Sequence, residues 1–441
     1  MALFALGFGV RALYARDLAG VLHTPAQPML RMTHRYDELA QRVVRGEGLL
    51  LPRLPHDPAD TSLLSRPPGY PLFLSVVYHA CGRDFFAVQF WQDLFDATTP
   101  VLVFLLAGAL VAWRVALLAG LLAAIWHSLA FDSNLVLPDA PSVVPLLLGL
   151  WLLARDRRRP GFGNGAAAGA CFGLAAWLRP NAVILVPSLA VALLLVAPRR
   201  RAWPAAAGLL AGAAALVAPI TLRNYVVYHR FVPLSTNLGI VMWRGIAEAG
   251  GERFGARATE SEVAQQEAAE YADPRYAVWW ASPDGIDRDR ARVRKSLAVI
   301  RAHPAWFARS VAGRAAALLD FAGPTAPLLA EAAAPPSRGT GWLAPSAGFE
   351  WARRPLRAAQ WLARAALLPL FLLGLALLAA LGWRRALLPA AALFSFLGFQ
   401  SLMHLEERMA LPLEAIAIVF GACGLAGLAS LARLRTRRAG R

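Results

Sequence analysis

Long apolar runs separated by short basic turns set the pattern of this chain. They fall near residues 2–15, 85–111, 115–130, 135–154, 165–178, 182–197, 205–222, 361–381, 386–402 and 411–431. Several approach or exceed the roughly 20 residues that cross a bilayer core. The pattern predicts an all-α polytopic membrane protein of about ten transmembrane helices. Between the first two runs lies a polar loop, 16–82, longer than a connector needs and carrying the turn Pro67-Pro68-Gly69. Within it, Thr33 is placed to cap a helix running to Val44, with Leu39, Val43 and Val44 on its apolar side. Residues 71–78 read as a second helix, and both are expected to lie along the membrane interface.

A second polar stretch spans 223–356. Its charged helix, 287–302, reads as a solvated surface, and the mildly apolar 304–322 as another interfacial segment. Three parts follow: an N-terminal transmembrane module (1–222) holding the loop 16–82, the polar region 223–356, and the C-terminal helices with a basic tail (357–441).

Composition sharpens this picture. The 441 residues are 57% hydrophobic and only 17% charged, with a mean hydropathy of +0.46. A net charge of +17 invites a nucleic-acid reading, which the distribution rejects. The arginines cluster at 114, 155–159, 199–201, 384–385 and 433–441, in short turns and the tail. The positive-inside bias then places both termini in the cytoplasm, and the loop 16–82, the region 223–356 and the turns at 132–139, 179 and 404–408 outside. Lys295 is the only lysine, as a GC-rich genome would produce. Cys81, Cys171 and Cys423 offer neither metal-ligand spacing nor a disulfide framework. The first run meets Arg11 early and lacks a processing site, so it reads as a short anchor rather than a cleaved leader, and the start could lie upstream. The expected location is the bacterial cytoplasmic (inner) membrane, with an active face outside.

On that outer face, charges gather that positive-inside bias should deplete: Asp37, Glu38, Arg66, Asp132, Asp139, Arg179, Arg223, Glu406, Glu407 and Arg408. Charges near span ends are costly and usually pair or line a cavity. Guanidinium groups suit phosphate, because the planar fork donates two hydrogen bonds to one oxyanion. The acids could supply a general base or hold a divalent cation, the one cofactor these residues bring into view. Singly, each has a plainer use. Arg179 and Arg223 can snorkel, Asp139 can cap a helix, and Glu406 and Glu407 can flank a turn while pairing Arg408. Their co-location is what points to a lipid-phosphate substrate.

Four ordered stretches carry a resemblance. They are Tyr36-x-x-Leu39-Ala40 with Gly46-x-Gly48 leading to Arg66-Pro67-Pro68-Gly69-Tyr70-Pro71; Gly173-Leu174-Ala175 with Leu178-Arg179-Pro180-Asn181-Ala182; Leu222-Arg223-Asn224-Tyr225 with Phe231-Val232-Pro233-Leu234-Ser235-Thr236 and Gly239; and His303-Pro304 with Phe307, then His404, Glu407-Arg408 and Leu411-Pro412-Leu413. Together they make the chain resemble the C-type membrane glycosyltransferases, in the bacterial branch similar to dolichyl-phosphate-mannose protein mannosyltransferases and aminoarabinose transferases. The resemblance implies two interfacial helices in the first external loop and an active site between that loop and the membrane. It implies transfer of a sugar from a polyprenyl-phosphate donor to a lipid, glycan or protein acceptor outside the cytoplasm. Arg66, Arg179, Arg223 and Arg408 then become the donor-phosphate contacts, and Tyr36, Tyr70, Asn224 and His404 the substrate pocket.

The chain departs from the family at one place. The acid expected about four residues before Tyr36, the catalytic base, is Met32 here. Asp37 or Glu38 replaces it, or Asp139 serves instead, or this copy does not catalyse. A catalytically inactive homologue that binds lipid carrier, and a flippase or transporter for lipid-linked sugars, are the competing functions. The latter calls for internal repeats, and none is evident.

Overall fold

A computed structural model describes residues 1–22, 28–47, 60–156, 160–321 and 350–439. Gly48, the 157–159 part of the arginine cluster, the 322–349 part of the long polar stretch and the side chains of Met32, Thr33 and Glu407 lie outside the described residues. Within that set the chain is all-α, with one isolated β-bridge between Trp279 and Ser282.

The N-terminal half runs α1 (Ala2–Leu22), α2 (Pro28–Val44), α3 (Gly69–Cys81), α4 (Phe85–Asp96), α5 (Thr99–Leu110), α6 (Trp113–Ile125), α7 (His127–Phe131), α8 (Asp139–Arg155), α9 (Phe162–Leu178), α10 (Leu185–Val196) and α11 (Arg199–Tyr228). Then come α12 (Leu238–Gly250), α13 (Glu260–Tyr271), α14 (Gly285–Ala302) and α15 (Pro304–Leu318). The chain closes with α16 (Glu350–Ser401) and α17 (Leu411–Ala439). Thr33 sits inside α2 rather than capping it. The helix begins at Pro28, whose fixed φ and missing N–H suit a first turn. α16 merges two helices across a break in helical geometry at Gly382.

Among the described residues, four helical segments are long and apolar enough to cross a membrane: Phe85–Leu110, Arg199–Tyr228, Trp351–Ala380 and Arg408–Ser430. A fifth is the pair Trp113–Ile125 and His127–Asn134, bent by 54°, where Trp126 adopts extended backbone. Helices coincide with the apolar runs, but α10, with 12 residues, is only about 18 Å long at 1.5 Å per residue.

Small residues set how closely that bundle packs. Gly165, Gly169 and Gly173 repeat at four-residue spacing on α9 and pack against Ala205, Leu209 and Leu216 of α11, while Gly208 and Gly212 of α11 pack against Phe162 and Ala166 of α9. A Cβ at Gly169 would meet the Leu209 carbonyl, and one at Gly212 the Ala166 carbonyl. With no hydrophobic drive between helices in lipid, close backbone approach of this kind supplies the attraction. Gly374 of α16 and Gly424 of α17 repeat the device against Phe420 and Leu370.

Above one end of the bundle, α12 to α15 form a compact polar cap. The charged helix α14 does not merely face solvent. Arg288, Asp289, Arg292 and Ser296, one helical face, are buried. Glu267 of α13 accepts from Arg288 Nε at 2.7 Å and from Arg292 Nε at 2.6 Å, so the buried guanidinium groups are matched by an acid that helix periodicity alone cannot reveal. The first loop is sewn to this cap. Thr61 Oγ1 donates to the Ala281 carbonyl and accepts from the Gly285 N–H, both at 2.7 Å. Leu64, Val232 and Ile286 form a small shared core.

Candidate active site

Three helix ends meet below the cap. α8 starts at Asp139, α9 stops at Leu178 where Arg179 turns extended, and the turn Glu407–Ala410 leads into α17. They bring together three residues from distant parts of the sequence. Asp139, 3% exposed, is ion-paired with Arg179 and lies 3.8 Å from Arg408 Nη1. Its place in the first turn of α8 adds the positive end of a helix dipole. Asp139, Ser142, Arg179, Asn181, Phe396 and Arg408 line a small, partly open cleft. Asp139 thus lies between two guanidinium groups, and Glu406, bound to Arg408, balances the second of them, so an incoming anion would have to compete with these carboxylates for the arginines.

The first loop adds its own residues beside this cleft. Tyr36 and Tyr70 are buried and meet edge to face, centroids 5.3 Å apart. Tyr70 donates to Gln92 Oε1 at 2.7 Å. Its burial, reinforced by Tyr78, Asp96, Tyr36 and Asp139, holds the phenol well above its ordinary pKa. Arg66 sits over Tyr36 at 5.6 Å and Trp280 at 5.8 Å. Among the described residues it makes no hydrogen bond or ion pair, and its Nε is buried without a partner. A guanidinium gripped by aromatic faces with its fork unused is built to accept an anion.

The other sequence candidates sit as follows. Both oxygens of Asp37 are engaged. Oδ1 accepts from Tyr78 Oη at 2.9 Å and Arg83 Nε at 3.0 Å, and Oδ2 from Gln41 and Arg83 Nη2, each at 2.9 Å. Glu38 is half exposed and pairs with Arg35 at 2.7 Å. Arg223 Nη1 donates to Asn224 Oδ1 at 2.6 Å. Asn224 is fully buried and donates to the carbonyls of Val232 and Leu234 at 2.8 and 3.3 Å. That contact fixes the return of the chain after α11, a loop-clamping position. His404 lies within hydrogen-bonding distance of Arg244 at 3.0 Å and Glu248 at 3.2 Å, and Glu406 binds Arg408 through Nε at 2.7 Å.

Sequence reasoning missed Arg244, Glu248 and Trp280, all in the cap. No motif marks them, and only the fold brings them to His404 and Arg66. Among the described residues no three His, Cys, Asp or Glu side chains are grouped to hold a metal ion. The acid in the cleft is matched instead to arginines, so the donor set does not fit a divalent cation.

Residues 65–222, from just before α3 through most of α11, match the family model of dolichyl-phosphate-mannose-protein mannosyltransferases. Comparison with curated protein sequences gave no match. The fold is similar to two structures of oligosaccharyltransferase from Archaeoglobus fulgidus. One is AglB in complex with an inhibitory peptide and a dolichol-phosphate, at 13% identity and a TM-score of 0.54. The other is in the apo form, at 16% and 0.55. Each alignment covers 99% of this chain and 51% of the other, so the chain spans about half the length of these relatives. ArnT from Cupriavidus metallidurans bound to undecaprenyl phosphate aligns at 15% identity over 96% of this chain and 77% of that one. Its TM-score of 0.41 is too low to bear on the site. The resemblance read from the sequence agrees with these findings: the chain has the fold of the two archaeal oligosaccharyltransferase structures, and residues 65–222 match the dolichyl-phosphate-mannose-protein mannosyltransferase model.

Proposed function

We propose that the protein is a membrane glycosyltransferase that moves a sugar from a polyprenyl-phosphate donor to an acceptor at the external face. The observation that carries this reading is the cleft at Asp139, where Arg179 and Arg408 converge on one buried carboxylate beside Tyr36 and Tyr70. The donor phosphate competes with Asp139 for the guanidinium groups, and Arg66 is free to bind the same lipid phosphate from the loop side. As the acceptor oxygen or nitrogen attacks the anomeric carbon, the bond from that carbon to the phosphate oxygen breaks. The leaving phosphate takes the electron pair and gains charge. Arginines aimed at that developing charge lower the barrier, an effect that can reach several kcal/mol in a dry site. Asp139, released from its ion pairs by the phosphate, takes the acceptor's proton. The charge bias of the short loops supports the outward orientation of this site, with a bacterial inner membrane as the proposed location.

Asp37 has a structural part in this reading. Its four contacts tie α2 to Tyr78 and Arg83 and leave no free lone pair pointed at a substrate. Purified protein in lipid, offered a panel of polyprenyl-phosphate sugars, is expected to release one of them. Arg66→Ala should raise KM for the donor about tenfold, as loss of one charge-assisted contact implies, with Arg66→Lys intermediate. Asp37→Asn should lower stability and leave kcat within about threefold, a loss of well under 1 kcal/mol in the barrier. A collapse of kcat in a folded Asp37→Asn protein would move the base to α2. Saturable donor binding without turnover would favour the inactive carrier-binding homologue, the reading that Met32 supports.

A further inference from the structure

Arg408 reaches the cleft as the last member of a chain of charges that begins in the cap. Its Nε and Nη2 both donate to Glu406 Oε2. The other oxygen, Oε1, lies 3.6 Å from His404 Nε2 and 3.7 Å from Arg244 Nη1. His404 Nδ1 is 3.2 Å from Glu248 Oε2, which also accepts from the Leu405 N–H at 3.1 Å. Behind Glu248 stands Arg314 Nε at 3.8 Å, and beyond Arg244 stands Glu260 at 3.6 Å. The whole segment is pressed onto α12. The His404 N–H donates to the Val241 carbonyl at 3.1 Å, and Gly245 leaves no room for a Cβ beside the His404 backbone.

The imidazole has two distinct arrangements here. Arg244 Nη2 is 3.0 Å from Nε2. An arginine always donates, so in neutral His404 the Nε2 lone pair accepts from Arg244 and the proton sits on Nδ1, facing Glu248. A second proton on Nε2 ends that acceptance and turns the N–H toward Glu406 Oε1. Glu406, already facing Arg244 and Arg408, is then shared among three cations, and its hold on Arg408 loosens.

We propose that His404 is a positioning residue for the donor site: its second proton, acting through Glu406, frees Arg408 to bind the donor phosphate. This rests on the reading that Arg408 meets that phosphate. The charged groups facing the ring are Arg244 and Glu248 from α12, with Glu260 and Arg314 behind them from α13 and α15, and Glu406 and Arg408 from its own segment. Burial disfavours the imidazolium, but the carboxylates of Glu248 and Glu406 outweigh it and raise His404 above its ordinary value. The change therefore falls above the ordinary imidazole midpoint.

The test is binding of polyprenyl-phosphate mannose to the full chain in lipid nanodiscs between pH 5.5 and 9. The phosphodiester of this probe keeps one charge throughout. Wild type should bind roughly fivefold to tenfold more weakly at the alkaline end, as expected for one partly screened charge. His404→Gln, which keeps a donor and an acceptor in place, should be flat at the weak value. Arg408→Ala should be weak at every pH. A pH slope retained in His404→Gln, or a flat wild type alongside a weak Arg408→Ala, overturns the role of His404 alone. Full affinity in Arg408→Ala, or no saturable binding by wild type, overturns the underlying reading of the site as well.

Discussion

Asp289 shows how burial at one residue becomes a measurable property. It is 8% exposed on α14 and accepts the Gly239 N–H at 2.8 Å. Burial raises its pKa from 3.8 to about 6, against the lowering effects of Arg292 and the backbone bonds from Gly239 and Ile240. A carboxyl raised in the folded state favours folding only while it can hold its proton. That contribution is complete below pH 3.8 and is lost as pH rises through 6. Asp289→Asn keeps an acceptor for Gly239 and removes the charge. It should stabilise the protein by about 1–3 kcal/mol at pH 7.5 and by little at pH 4, measured by thermal unfolding in detergent. Equal effects at both pH values would show that the charge is not what matters. At this scale the sequence was informative where chemistry and position coincide. Asp139, Arg179 and Arg408 were recognisable as charges at span ends, and they do meet. Asn224, singled out for a pocket, clamps the chain at Val232 and Leu234, a contact not legible in the sequence because an amide's partner is chosen by a loop path that no motif records.

At the scale of elements, the apolar periodicity located the helices well, since each must bury or immerse a continuous apolar surface. It did less well on how they end and bend. The 54° break after Ile125 and the merging of two helices around Gly382 depend on local backbone geometry. The buried face of α14 escaped notice because arginine looks the same in sequence whether solvated or matched to Glu267. The α9–α11 contact gives a direct test. Gly169→Ala forces a methyl against the Leu209 carbonyl, whereas Gly163, on the same helix, has open space beside it. The first should destabilise by about 1–3 kcal/mol, in the range of overpacking. Gly163→Ala should be neutral or stabilise by about 0.5–1 kcal/mol through helix propensity. Equal unfolding temperatures for the two variants would refute the close packing described.

For the whole molecule, the arrangement is one of division of labour. The glycine-packed bundle fixes the ends of α8, α9 and α17, and the first loop, tied to the cap through Thr61, covers them with aromatic side chains. The Asp139 cleft lies where bundle, loop and cap approach one another, which is why no single stretch of sequence contains it. The most direct measurement is donor binding and sugar release by Asp139→Asn beside wild type, with polyprenyl-phosphate mannose in lipid. The account predicts saturable binding by both proteins and a loss of turnover of at least about a hundredfold in the variant, the usual scale of general-base removal. Turnover retained in Asp139→Asn would contradict it.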